Sequence, residues 1–268
     1  MLKFFEFRKI KIRYSEKGKG RALVLIHGFP ESLEIWNEFS ENLAKHFRVI
    51  AIDLPGFGET ASIGYIHSME LMAECVKKLM DDLGYRKYVL CGHSMGGYVT
   101  LAFAELFEKN VSGISLFHSN AFADSDEKKK DRTRAIDLVK KDAKHFVNEL
   151  VNKLFAESNK ELFKNEIEEI RKICQSTKKE GIINALAGMR DRKDRQHILK
   201  SANYPIQFIL GKQDVVMPFD ALAKQVDLCK NPTLTVLEKS GHMGFIEEKE
   251  KAQKALLKFT RKAFRENV

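Results

Sequence analysis

Three side chains of the sequence have the types and the order that serine acyl chemistry requires: Ser94, Asp214 and His242. Ser94 lies in Gly92-His93-Ser94-Met95-Gly96-Gly97, after the short apolar run Tyr88 to Cys91 and before helical spacing over Tyr98 to Phe107. A serine at so tight a strand-to-helix corner needs a strained backbone, and the turn closes only if the residues two before and two after lack side chains. Gly92 and Gly96 meet that demand. A Gly-x-Ser-x-Gly pentapeptide arises by chance in roughly one chain in ten or twenty of this length, so the corner gains its meaning from its partners. A serine hydroxyl is a weak nucleophile near neutral pH and needs a base within hydrogen-bond reach. His242, in Ser240-Gly241-His242-Met243-Gly244 after the last expected strand, is the expected base. A carboxylate must then fix the imidazole tautomer and stabilise the imidazolium. Asp214 follows the strand Ile206 to Leu210 through Gly211-Lys212-Gln213, which brings it to the same sheet edge; Asp124, after the preceding strand, is the alternative acid.

Acyl transfer also requires donors for the oxyanion that forms on the attacked carbonyl. The backbone N–H groups of Met95 and of Phe29, in His27-Gly28-Phe29-Pro30, are the expected pair; Pro30 has no N–H to offer. Phe29, His93, Phe122 and Met243 are the expected substrate contacts, and with Met95 they suggest an apolar lining. His27 and His93 flank these turns and have structural hydrogen bonding as their other reading, whereas His46, His67, His118, His145 and His197 have no comparable context.

These residues must be carried by strands that end at one edge. Residues 4–14 alternate in polarity and turn at Gly18 and Gly20, which predicts one or two antiparallel strands. Ala22 to Ile26, Arg48 to Ile52, Tyr88 to Cys91 and Val111 to Phe117 are short, mostly apolar runs separated by helical patterns over Ile35 to Phe47 and Ser68 to Leu83. That rhythm predicts parallel βαβ units, and Ser68 and Gly84 read as the two ends of one helix. From about Asp124 to Leu199 the sequence is charged and helical with no convincing strand, which predicts a helical cap inserted over residues 121–199 into a core of residues 1–120 and 200–268. Strands return at Pro205 to Gly211 and Thr233 to Leu237, with helices near Asp220 to Leu228 and Glu248 to Phe264.

A chain of 268 residues with 44% hydrophobic content fills one large α/β core. No apolar run approaches the roughly 20 residues of a membrane helix, and the charged first residues do not read as a secretion signal, so a cytoplasmic protein without membrane contact is expected. Cys75, Cys91, Cys174 and Cys229 show no metal or disulfide spacing and read as free thiols. The net charge of +9 is spread among acidic residues, which fits a solvated basic surface rather than a nucleic-acid face. The expected partner is a small-molecule substrate, to a monomer or homodimer.

Through His27-Gly28-Phe29-Pro30, Asp53-Leu54-Pro55-Gly56-Phe57-Gly58, Gly92 to Gly97, Asp214 and Ser240-Gly241-His242, the chain resembles the α/β-hydrolase superfamily over residues 1–120 and 200–264. The resemblance implies an α/β-hydrolase fold: a mostly parallel eight-stranded sheet, helices on both faces and a lid over the catalytic edge. It implies no cofactor and no metal. The run through Glu31 and Ser32 is also similar to epoxide hydrolases, but those use an aspartate nucleophile where this chain has Ser94, and all six tyrosines fall outside the expected cap. The expected activity is therefore hydrolysis of a carboxylic ester or lactone of a small, apolar substrate through an acyl-enzyme on Ser94. C–C bond, amide or acyl-homoserine lactone cleavage on the same triad, and a ligand-sensing receptor, are the alternatives.

Overall fold

The computed structural model describes residues 2–266. Arg8 and Lys9, both at positive φ, turn the chain between two antiparallel strands, β1 (Leu2–Phe7) and β2 (Ile10–Lys17). The remaining strands are β3 (Ala22–Ile26), β4 (Arg48–Ile52), β5 (Tyr88–His93), β6 (Val111–Phe117), β7 (Ile206–Gly211) and β8 (Pro232–Leu237). They form one eight-stranded sheet in the order β1-β2-β4-β3-β5-β6-β7-β8, parallel from β4 to β8. Every residue of β3, β5, β6 and β7 is buried, as expected for parallel strands covered on both faces, and this explains their near-continuous apolar sequences.

The helices of the sheet layers are α1 (Phe39–Leu43), α2 (Met69–Asp82) and α3 (Met95–Leu106). Between β6 and β7 follow α4 (Asp126–Val151), α5 (Lys164–Ser176), α6 (Lys179–Arg190) and α7 (Gln196–Ser201). The chain closes through α8 (Phe219–Ala223), α9 (Gly244–Glu247) and α10 (Lys249–Arg265). Both α3 and α10 pack on β5 and β6, and α2 joins α3 while α1 joins α10, which places helices on both sheet faces. Ser68 caps α2 by accepting from the Leu71 amide at 3.1 Å, and Gly84 follows its end at φ +76, the left-handed conformation a helix stop uses.

Two expected helices are shorter or broken. The stretch over residues 35–47 holds a single 3₁₀ turn and the five-residue α1. The expected helix near Asp220 divides into α8 and a 3₁₀ turn, whereas α10 matches the expected last helix within a residue at each end, with the short turn α9 before it. Inside α4, Asp142 leaves helical geometry, and its carboxylate accepts from the His145 amide at 2.9 Å, so it caps a second helical segment. Of the inserted helices α4 and α6 pack together, while α7 lies against the core helix α3. No described helix is long and apolar enough to cross a membrane.

Candidate active site

The corner after β5 has the conformation its glycines predict. Ser94 sits at φ +52 and ψ −115, outside ordinary strand and helix geometry. Its amide donates to the Phe117 carbonyl at 2.9 Å, and its own carbonyl accepts from the Gly97 amide at 2.9 Å and the Ser119 hydroxyl at 2.7 Å. A Cβ on Gly92 would lie 2.2 Å from the Gly96 oxygen, and one on Gly96 would lie 2.3 Å from the Ile26 oxygen. The strained serine therefore persists because the end of β6, the residue Ser119 after it and the first turn of α3 hold its backbone, and two glycines leave it room.

At the end of β7, Asp214 Oδ1 accepts from the amides of Val216 at 2.9 Å and Met217 at 2.8 Å. Its Oδ2 receives His242 Nδ1 at 2.7 Å and lies 3.2 Å from His118 Nδ1. Burial alone would raise the Asp214 pKa, but the two imidazoles outweigh it and hold the carboxyl well below its usual range. Burial likewise opposes the charged form of His242, and the Asp214 carboxylate overrides it, raising the imidazole above its ordinary value. His242 and Ser94 line one cavity, and the described hydrogen bonds include none between their side chains. Such contacts are often long without substrate and tighten when it binds.

Asp124 stands elsewhere. Its carboxylate accepts from Arg192 at 2.6 Å and from Arg132 Nε at 3.1 Å on the wall formed by the inserted helices. Geometry thus joins His242 to Asp214, not to Asp124.

Met95 is the first residue of α3, so its N–H has no partner within the helix. Neither this amide nor that of Phe29 has an acceptor among the described hydrogen bonds. The cavity between them measures about 660 Å³ and is bounded by Phe29, Phe122, Phe146, Leu150 and Met217 as well as by charged residues of the inserted helices. Phe29 and Phe122, expected as substrate contacts, both line this cavity. His93, Met95 and Met243 do not line the cavity: all three side chains are fully buried, and the His93 ring lies beneath the His242 backbone, with Nε2 at 2.9 Å from its carbonyl. A second cavity of about 680 Å³ opens at the opposite sheet edge, around Pro205 and Pro232, far along the strands from Ser94.

Three residues that the motifs do not single out hold the site in place. Glu31, fully buried, accepts from the Gly28 amide at 2.7 Å. Glu247 accepts from the amides of Gly241 at 2.9 Å and Met243 at 3.2 Å, and so fixes the loop of His242; it also accepts from Ala156 at 2.9 Å. The His242 amide donates to the Leu154 carbonyl at 2.7 Å, so the inserted segment is bonded directly to that loop. His118 ends β6 between the strands that carry Ser94 and Asp214, and the same strand-end logic that selected Asp214 could have found it. Ligating atoms of His118, Asp214 and His242 lie within 4.8 Å of one another. Asp214 already accepts from His242 and from two amides, and His118 Nδ1 itself accepts from the Gly211 amide at 3.2 Å, so most of the lone pairs that a metal would need are in use.

Residues 21–249 match the family model described as the alpha/beta hydrolase fold. The chain is similar in structure to a thermophilic esterase from Thermogutta terrifontis, described as malate bound, with a TM-score of 0.92 and 31% identity over 98% of this chain and 97% of that one. It is 30% identical over 265 residues to the dihydrolipoyllysine-residue acetyltransferase component of an acetoin cleaving system from Pseudomonas putida, covering 94% of this chain and 67% of that protein. It is 26% identical over 269 residues to a 2-hydroxy-6-oxononadienedioate/2-hydroxy-6-oxononatrienedioate hydrolase from Burkholderia vietnamiensis, covering 95% of this chain and 92% of the relative.

Proposed function

The chain belongs to the α/β-hydrolase family, and on that premise we propose that it is a serine hydrolase cleaving carboxylic esters or lactones through an acyl-enzyme on Ser94. The observation that carries this reading is the 2.7 Å bond between His242 Nδ1 and Asp214, at the edge of the cavity into which the strained Ser94 corner opens.

Ser94 Oγ attacks the carbonyl carbon while the second ring nitrogen of His242 takes its proton. The amides of Phe29 and Met95 receive the oxyanion. His242 then gives the proton to the leaving alkoxide as its carbon–oxygen bond breaks; water attacks the acyl carbon while the imidazole takes its proton, and that proton passes to Ser94 Oγ as the acyl–serine bond breaks. Asp214 stays ionised throughout, since its neighbours hold its pKa low. The similarity to the Thermogutta terrifontis esterase supports ester chemistry.

Ser94→Ala is expected to lose both turnover of short p-nitrophenyl esters and labelling by a fluorophosphonate probe. A variant that kept both would remove Ser94 from the mechanism. A second reading, C–C bond hydrolysis by the same three groups, is supported by the similarity to the Burkholderia vietnamiensis hydrolase; faster turnover of a 2-hydroxy-6-oxononadienedioate than of short p-nitrophenyl esters would favour it.

A further inference from the structure

Part of the cavity lining is cationic in a way that the proposed chemistry does not use. Lys128, Arg132, Lys153 and Arg192 line it, against the two carboxylates Asp124 and Asp131. Lys128 and Arg132 lie one turn apart on α4, so they share a helix face. Asp124 takes Arg192 at 2.6 Å and Arg132 Nε at 3.1 Å, and one carboxylate between two guanidinium groups leaves a full positive charge uncompensated. Asp131 is paired with Arg134 instead. Neither Lys128 nor Lys153 has an ion pair among the described residues, and the two terminal nitrogens of Arg132 have no acceptor among them, although its side chain is only 17% exposed. A mostly buried guanidinium with two unused N–H forks is a poor structural element and a good receptor for a planar carboxylate. The same cavity also has an apolar lining in Phe29, Phe146, Leu150 and Met217, with the Phe29 and Phe146 rings 6.4 Å apart.

We propose that the cavity is a two-part site selecting esters that carry a free carboxylate: hemiesters of dicarboxylic acids, held by Arg132 with Lys128 and Lys153 near the mouth, their methylene chain lying along the apolar part. The proposal rests on the ester-hydrolase reading above and specifies its substrate class. It replaces the purely apolar lining expected from the sequence. It also requires a local effect, separable from the attraction that a net charge of +9 exerts on any anion.

The test compares monoethyl adipate with the ethyl ester of adipamic acid, which differs only in a carboxamide for the carboxylate, by ethanol release. The protein is expected to prefer the acid by about tenfold or more in kcat/KM, the value of a charge-assisted hydrogen bond or two. Arg132→Met and, at an exposed position that cannot unfold the chain, Lys153→Met are expected to pull that ratio toward one. Lys254→Met on α10, which removes the same charge far from the cavity, is expected to leave the ratio as it was. Equal use of the two esters, or a ratio that falls as much in Lys254→Met as in Lys153→Met, would overturn the proposal. Calorimetric binding of adipate against adipamide gives an independent answer even in a protein that turns over no ester: tight adipate binding lost in Arg132→Met supports the subsite, and equal binding of the two rejects it. Failure of the carboxylate preference with retained p-nitrophenyl ester turnover thus strikes the subsite alone.

Discussion

Glu31 and His93 form a buried pair that ties the two sides of the site together. Glu31 Oε2 accepts from the Gly28 amide at 2.7 Å and lies 3.0 Å from His93 Nδ1, while His93 Nε2 lies 2.9 Å from the carbonyl of His242. Burial would raise the Glu31 pKa, but His93 and the Gly28 amide outweigh it and keep the carboxylate charged. One continuous line of polar contacts therefore runs from the turn that presents the Phe29 amide, beneath Ser94, to the backbone of the proposed base.

From this line follows a first expectation. Glu31→Gln should lower kcat by about 10- to 100-fold with little change in KM, because a displacement on the ångström scale at the oxyanion turn acts on the transition state. Steady-state kinetics beside urea unfolding separates the cases: a variant with a lower unfolding midpoint but unchanged kcat would reduce Glu31 to a stabilising role.

The two candidate acids should part company under the same substitution. Asp214→Asn is expected to cost roughly 10⁴-fold in kcat, by leaving His242 in the wrong tautomer. Asp124→Asn should instead cost stability, about 3 kcal/mol, since it strands the buried Arg192 without a counter-charge. Rate and urea midpoint measured on both variants decide the matter, and a severe rate loss in Asp124→Asn alone would reverse the assignment.

The pH dependence follows from the His242 shift. Burial favours the neutral ring, Asp214 favours the charged one, and Asp214 prevails. Only the neutral ring accepts the Ser94 proton, so kcat/KM should fall on the acid side with an apparent pKa above the ordinary ~6.5. Residual activity in Asp214→Asn should show that limb at lower pH. A wild-type limb below 6 would contradict the electrostatics.

Stability should respond to acid through His118. Burial pushes its pKa down to about 4 against the opposing pull of Asp214, whereas the unfolded chain binds that proton near ~6.5. Its contribution is thus complete above the unfolded value and is lost as pH drops toward the folded one, by about 3 kcal/mol. His118→Asn, an identity that tolerates the native φ of +49, should flatten the fall of the urea midpoint between pH 6.5 and 4. An unchanged slope would mean that the ring is charged in the folded protein.

Much of this architecture was legible because it is written in local pattern. Apolar runs such as Ala22 to Ile26 mark strands buried on both faces, Ser68 marks a helix start, and Gly92 and Gly96 mark a corner whose sterics allow nothing larger. Ser94, Asp214 and His242 could be proposed because each follows a strand end. What the sequence hid depends on neighbours remote in the chain. Glu31 and Glu247 look like surface acids until the fold surrounds them with amide donors. Lys128 and Arg132 look like an ordinary solvated helix face until α4 is laid across the cavity. The break at Asp142 was locally encoded, as an aspartate cap inside a long charged run, but helical periodicity on either side masks it.

The bond from the His242 amide to the Leu154 carbonyl, reinforced by the Glu247 grip on Ala156, has a mechanical corollary. Any outward shift of residues 154–156 must either break these bonds or carry the His242 loop with it, so the inserted segment and the proposed base are tied in position.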